Sequence, residues 1–139
     1  MRKRSFATLG LLALLAAVSA FGQRLTADIP FEFRLADKVM PAGHYGVTLG
    51  GHGVQGLVSV DCSTGSARGF ALTSNIGGGD YARNEGRLVF KKYGDTYFLS
   101  EIWSPDRTQG SALLKTKTER EMARNTQPSE TAQVLLALR

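Results

Sequence analysis

Apolar residues recur at every second position along most of this chain. In DIPFEFRL, Ile29, Phe31, Phe33 and Leu35 alternate with Asp28, Glu32 and Arg34, the period of a strand with one buried and one wet face. Pro30 has no N–H to donate, so it is tolerated only in a strand's first residues or on an edge. ADKVMPAG then turns the chain, with Pro41 fixing φ and Gly43 relaxing it. HYGVTL resumes the alternation, placing Tyr45, Val47 and Leu49 inward and His44, Gly46 and Thr48 outward. VQGLVSVDC continues it with Val54, Val58, Val60 and Cys62 inward and Leu57 out of step, and ARGFALTSNI sets Phe70, Leu72 and Ile76 on one face. GGGDYARNEG reads as a polar, glycine-rich loop.

The clearest element is a hairpin. RLVFKKY and TYFLSEIW flank Gly94-Asp95, and glycine first in a two-residue loop suits a type II′ turn. Such a turn sets Lys92 opposite Tyr97, Phe90 opposite Leu99 and Leu88 opposite Glu101. One face then carries Leu88, Phe90, Tyr97, Leu99 and Trp103, with Glu101 among them. From Thr116 the period changes: TKTEREMARN offers Thr118 and Glu121 at capping-box spacing, followed by good helix formers. QPSE is a linker and AQVLLALR a final strand. Six or seven short strands with one late helix predict a mainly β, single-domain antiparallel β-sandwich or small β-barrel with one short C-terminal helix at about 116–125.

The first 22 residues have a different plan. Arg2, Lys3 and Arg4 precede an uncharged run from Phe6 to Val18 and the small residues Ser19 and Ala20, the layout of a secretory signal. Residues 1–20 are read as that signal, with Val18 and Ala20 suiting a cut after Ala20 or, nearly as well, after Gly22, leaving 21–139 as one domain. The apolar run is shorter than the ~20 residues that span a bilayer. The expected location is therefore periplasmic or extracellular.

The leader changes the charge balance as well. Removing its three cations from the 17 Lys and Arg leaves 14 against 12 Asp and Glu, which gives little support for a nucleic-acid partner. Cys62 is the single cysteine, so no disulfide forms within the chain, and it reads as a small buried hydrophobe.

Candidate chemistry is thin. Gly51, Gly53 and Gly56 in LGGHGVQG have G-x-G-x-x-G spacing, but a dinucleotide site needs a helix to begin at the third glycine. LVSVDCSTGS has no helical period, so the stretch reads as a turn between strands with His52 exposed. His44 and His52 are too far apart along the two strands to share a metal, and no metal site or cofactor is expected. There is no G-x-S-x-G elbow, and Asp80, Asn84 and Glu85 lack the spacing of a calcium loop. No catalytic set is assigned.

Glu101 stands out because its expected neighbours are apolar, so its carboxylate must find a cation or donors. Arg68 and Lys92 are the expected ion-pair partners. Three functions remain open. The first is a non-catalytic interaction or structural module of the cell envelope that meets another envelope protein. The second is a carrier of a small apolar ligand in a barrel or inter-sheet pocket lined by Phe31, Phe33, Phe90, Tyr97, Leu99 and Trp103. The third is a weak hydrolase using Glu101. The candidate ligand-binding residues are Glu101, Trp103, Tyr97 and Phe90.

IPFEFRLADKVMPAGHYGV, LVFKKYGDTYFLSEIWSP and KTKTEREMAR together resemble a family of small exported bacterial proteins. Its pattern is P-F-x-F, P-A-G-x-Y and Y-G-x-x-Y-F-L-x-E-I-W, followed by a polar helix with paired glutamates. Pro30, Phe31, Phe33, Pro41, Ala42, Gly43, Tyr45, Tyr93, Gly94, Tyr97, Phe98, Leu99, Glu101, Ile102, Trp103, Glu119 and Glu121 are the matching residues. The resemblance implies one exported domain and carries no activity and no site.

Overall fold

The computed structural model describes residues 24–50, 55–77, 85–105 and 107–138. The leader, His52, Val54, Asp80 and Asn84 lie outside them. Ten strands and one helix follow along the chain: β1 (Arg24–Ile29), β2 (Phe33–Leu35), β3 (Lys38–Met40), β4 (Gly43–Leu49), β5 (Leu57–Cys62), β6 (Arg68–Ile76), β7 (Gly86–Tyr93), β8 (Thr96–Trp103), β9 (Gly110–Leu113), α1 (Lys117–Asn125) and β10 (Glu130–Leu138).

Eight of these strands close on themselves. The order β8-β7-β10-β1-β4-β5-β6-β9 returns to β8 through a further β8–β9 pairing, so the sheet is an antiparallel barrel. The barrel, of the two architectures expected from sequence, is therefore the one adopted. β2 adds in parallel to the first half of β8 and carries β3 as a hairpin. Closure pairs every wall strand on both sides, which removes the exposed edges that make open sheets prone to association.

Several strands differ from the sequence expectation for identifiable reasons. DIPFEFRL is split, since β1 ends at Ile29 and β2 begins only at Phe33, with Pro30 in the break. The turn expected across ADKVMPAG occurs at Ala36, whose φ is 54°, and Asp37, with β3 following. Phe70 and Leu72 do share a face, but it is the outer one, and they are 50% and 56% exposed. The inward positions on β6 are Gly69 and Ala71, because Leu35 fills the space beside them. A Cβ on Gly69 would sit 2.5 Å from Leu35 Cδ2. β9 was not foreseen, its four residues showing little alternation.

The β7–β8 hairpin turns where expected, with Gly94 at φ 59°, the sign a type II′ turn requires of its first residue. Lys92 opposes Tyr97 and Phe90 opposes Leu99, but beyond that the register shifts, so Val89 opposes Glu101 and Leu88 opposes Ile102. Ser100 is the extra residue of a β-bulge. Past it, Ile102 faces the core while Glu101 and Trp103 turn to the outside of the wall. Trp103 is nonetheless 4% exposed. It lies against Gly110, where a Cβ would be 2.8 Å from its ring.

The core of the interior is apolar, built from Leu25, Val47, Val58, Val60, Leu88, Leu99 and Ile102 with others. One end is stopped by rings. Phe33 meets Tyr45 and Phe90 edge-on, each at 5.3 Å, while Phe31 stacks on Tyr97 at 4.0 Å and meets Phe90 edge-on at 4.9 Å. Edge-to-face and offset pairs exceed their area burial by about 0.5–1.5 kcal/mol each.

α1 begins with Thr116 as N-cap, its side chain accepting from the Glu119 N–H at 3.2 Å. The cap is thus Thr116 with Glu119 three residues on, and not Thr118 with Glu121. The helix lies outside the barrel, where Glu119 is within electrostatic reach of Tyr93 and Lys91.

Phe33→Ala removes a ring packed against two others, and a loss of about 3–5 kcal/mol is expected from urea unfolding. A loss below about 1 kcal/mol would show that the ring cluster does not hold that end of the barrel closed.

Candidate functional site

The two ends of the barrel differ in chemistry. At the ring-filled end Phe33, Tyr45 and Phe90 pack on one another and are at most 1% exposed. Tyr45 also donates its hydroxyl to the Pro41 carbonyl at 2.5 Å, and burial pushes its pKa up to about 12.

β4, β6 and β8 run toward the opposite end, the mouth of the barrel. A cavity of about 500 Å³ sits in this mouth, lined by Leu49, Gln55, Thr73, Asn75, Arg107 and Ser111 among others. The lining residues sit at strand ends, or, as Gln55 and Arg107 do, in the connections beside them. Leu49 closes β4 and Leu57 opens β5, with Gly50 N–H donating to the Leu57 carbonyl at 2.9 Å across the turn. Thr73 and Asn75 come from the last turnings of β6, and Ser111 from the facing strand β9, opposite Asn75. The Thr73 N–H and hydroxyl both donate to the Gly56 carbonyl, at 2.7 and 3.1 Å.

Of the glycine-rich stretch, Gly50 and Gly56 line this mouth, with φ 69° and 79°, while Gly51 and Gly53 lie outside the described residues. β5 begins at Leu57, where a dinucleotide site would need a helix.

The four candidate ligand-binding residues do not converge. Phe90 and Tyr97 both contact Phe31 inside the ring-filled end, whereas Glu101 and Trp103 lie on the outer wall beyond the bulge. Glu101 pairs with neither expected cation, because Arg68 binds Asp61 at 2.6 Å and Lys92 reaches Glu130 at 3.8 Å. Its carboxylate instead accepts from the Trp103 indole N–H at 2.9 Å. The spacing of Leu99 and Ile102, three apart against Leu88 and Phe90 two apart, is the sequence signal that could have revealed the bulge.

Other polar groups are engaged locally. His44 Nδ1 and Asp28 Oδ1, on the outer faces of adjacent strands, are 2.5 Å apart. The buried Cys62 thiol lies 3.2 Å from the Thr64 hydroxyl, which with Ser66 lowers its pKa. Glu119, 5% exposed, has one carboxylate oxygen without a hydrogen-bond partner, and burial raises its pKa. Among the described residues no three of His, Cys, Asp and Glu gather as a metal set.

The sequence carries no local signal that marks the mouth residues. Gln55, Asn75, Arg107 and Ser111 lie in turns or at strand ends, far apart along the chain, and no local spacing joins them.

No protein-family model, curated protein sequence or solved structure matches the chain.

Substitutions at two residues test these contacts. Glu101→Ala deprives the buried indole N–H of its charged acceptor, with an expected loss of about 1–3 kcal/mol and a shifted emission of Trp103. Glu101→Gln, which keeps an acceptor, should show most of neither. For Glu119 the folded pKa lies above the unfolded one, so the folded state binds the extra proton and stability falls as pH rises through that window. Glu119→Gln should therefore be more stable than the parent at pH 7, with the gap closing as pH falls into the ordinary carboxylate range in urea titrations.

Proposed function

We propose that this chain is an exported, non-catalytic interaction module of the cell envelope, and that the mouth of the barrel is its working surface. The observation that carries the reading is the contrast between the ends. One is filled by packed rings, and the other holds a polar cavity of about 500 Å³ lined by strand-end and turn residues. Binding sites favour such barrel mouths, where a rigid wall positions loop and strand-end residues.

Several features support the rest of the reading. The leader has the layout of a secretory signal, and the resemblance to small exported bacterial proteins agrees with it. The outer wall carries Asp28, His44, Asp61 and Arg68 while the interior is apolar, the reverse of a barrel that faces lipid. No described helix is long and apolar enough to cross a membrane. An apolar guest in the ring-lined end has less support, since those rings fill one another's space. Glu101, engaged with Trp103, is read as structural.

Native mass spectrometry of the protein gently released from its own envelope tests the proposal. The expected result is a reproducible added mass, a small molecule or a partner chain, that is lost when Asn75→Trp fills the mouth. A bare mass for the parent, or an adduct indifferent to Asn75→Trp, would overturn it.

A further inference from the structure

We propose that the mouth binds a compact organic oxyanion, a phosphate or carboxylate carried on a small body, with Arg107 as the anion contact. This rests on the mouth being the working surface. Among the described residues that line the cavity, Arg107 is the one that carries a charge. Its guanidinium has no ion-pair partner among the described residues, whereas Arg68 is bound to Asp61 and Arg87 to Glu85 and Gln133. A guanidinium presents donors in a planar fork that matches an oxyanion's two oxygens.

The surroundings fit the same ligand. Gln55, Asn75 and Ser111 are neutral, and their side chains make no hydrogen bond among the described residues, so their donors remain available toward the cavity they line. Thr73 is different. Its hydroxyl hydrogen goes to the Gly56 carbonyl, which holds the oxygen's lone pairs available to accept from a hydroxyl of the ligand. Leu49 and Leu57 supply apolar contact beside these groups. A volume of about 500 Å³ lies within the usual ~300–1,000 Å³ range of small-molecule sites. One cation with several neutral donors therefore selects a monoanionic or dianionic head on a small hydroxylated body. A cation would meet the Arg107 guanidinium, and a purely apolar guest would leave the donors without partners.

Such a head could belong to a soluble metabolite or to a lipid headgroup, and the test separates them. Inorganic phosphate, glycerol 3-phosphate and phosphatidylglycerol vesicles are titrated into the ¹⁵N-labelled full-length mature chain, following the amides of Asn75, Arg107 and Ser111 and the Arg107 side-chain signal. Glycerol 3-phosphate is expected to shift these signals saturably and to bind more tightly than phosphate. Arg107→Gln should weaken both at least tenfold, while Arg68→Gln, on the outer wall, should leave them unchanged. Response to the vesicles as well assigns a lipid headgroup, and response to the soluble anions alone assigns a free metabolite. Absence of saturable shifts, shifts located away from the mouth, or equal affinity in Arg107→Gln would overturn the proposal. If the envelope adduct is still lost in Asn75→Trp while no anion binds, the mouth remains the working surface and only the oxyanion assignment falls.

Discussion

The packing of Phe31, Phe33, Tyr45, Phe90 and Tyr97 against one another is the constraint on which the rest of the structure depends. These rings come from the β1–β2 connection and from β2, β4, β7 and β8, so their contact ties together strands far apart in the barrel. They consume the interior at one end. At the other end the described strand ends carry Thr73, Asn75 and Ser111 around a cavity. The barrel acquires a direction in this way.

The wall has its own determinant in Ser100. A barrel of eight strands must stagger and bend to close, and the bulge lets β8 serve two neighbours on one edge. Its first half receives β2 through Phe33 and Arg34, and its second half receives β9 through Ala112 and Ser111. The same extra residue turns Glu101 and Trp103 outward. A carboxylate that would have been costly among core side chains instead holds an indole in place over Gly110. The mouth depends on this arrangement too, because β9 brings Ser111 beside Asn75 only by joining β8 to β6.

Much of the fold was legible along the chain because strand alternation is a local signal. Tyr45, Val47 and Leu49, then Val58, Val60 and Cys62, face inward as their period requires, and the hairpin turns at Gly94-Asp95. The helix spans the expected residues, though its cap moved from Thr118 to Thr116, since both threonines have a glutamate three positions later. The candidate site was not legible. Phe90, Tyr97, Glu101 and Trp103 look like one lined face when the register is taken as regular, and one inserted residue separates them onto opposite sides of the wall. Phe70 and Leu72 alternate correctly, but alternation does not say which face is inner. Gly69 decides that, through its contact with Leu35 from a distant strand.

By itself, then, the sequence determined that the chain is mainly β with a late helix, and where its clearest strands and turns fall. Those properties follow from periodicity and turn chemistry, which act over a few residues. Tertiary structure alone decided that the sheet closes into a barrel, which face of β6 is wet, that Glu101 serves Trp103, and that Gln55, Asn75, Arg107 and Ser111 meet around one cavity. Each of these depends on contacts between segments tens of residues apart, whose register is set by how rings and side chains share a finite interior volume.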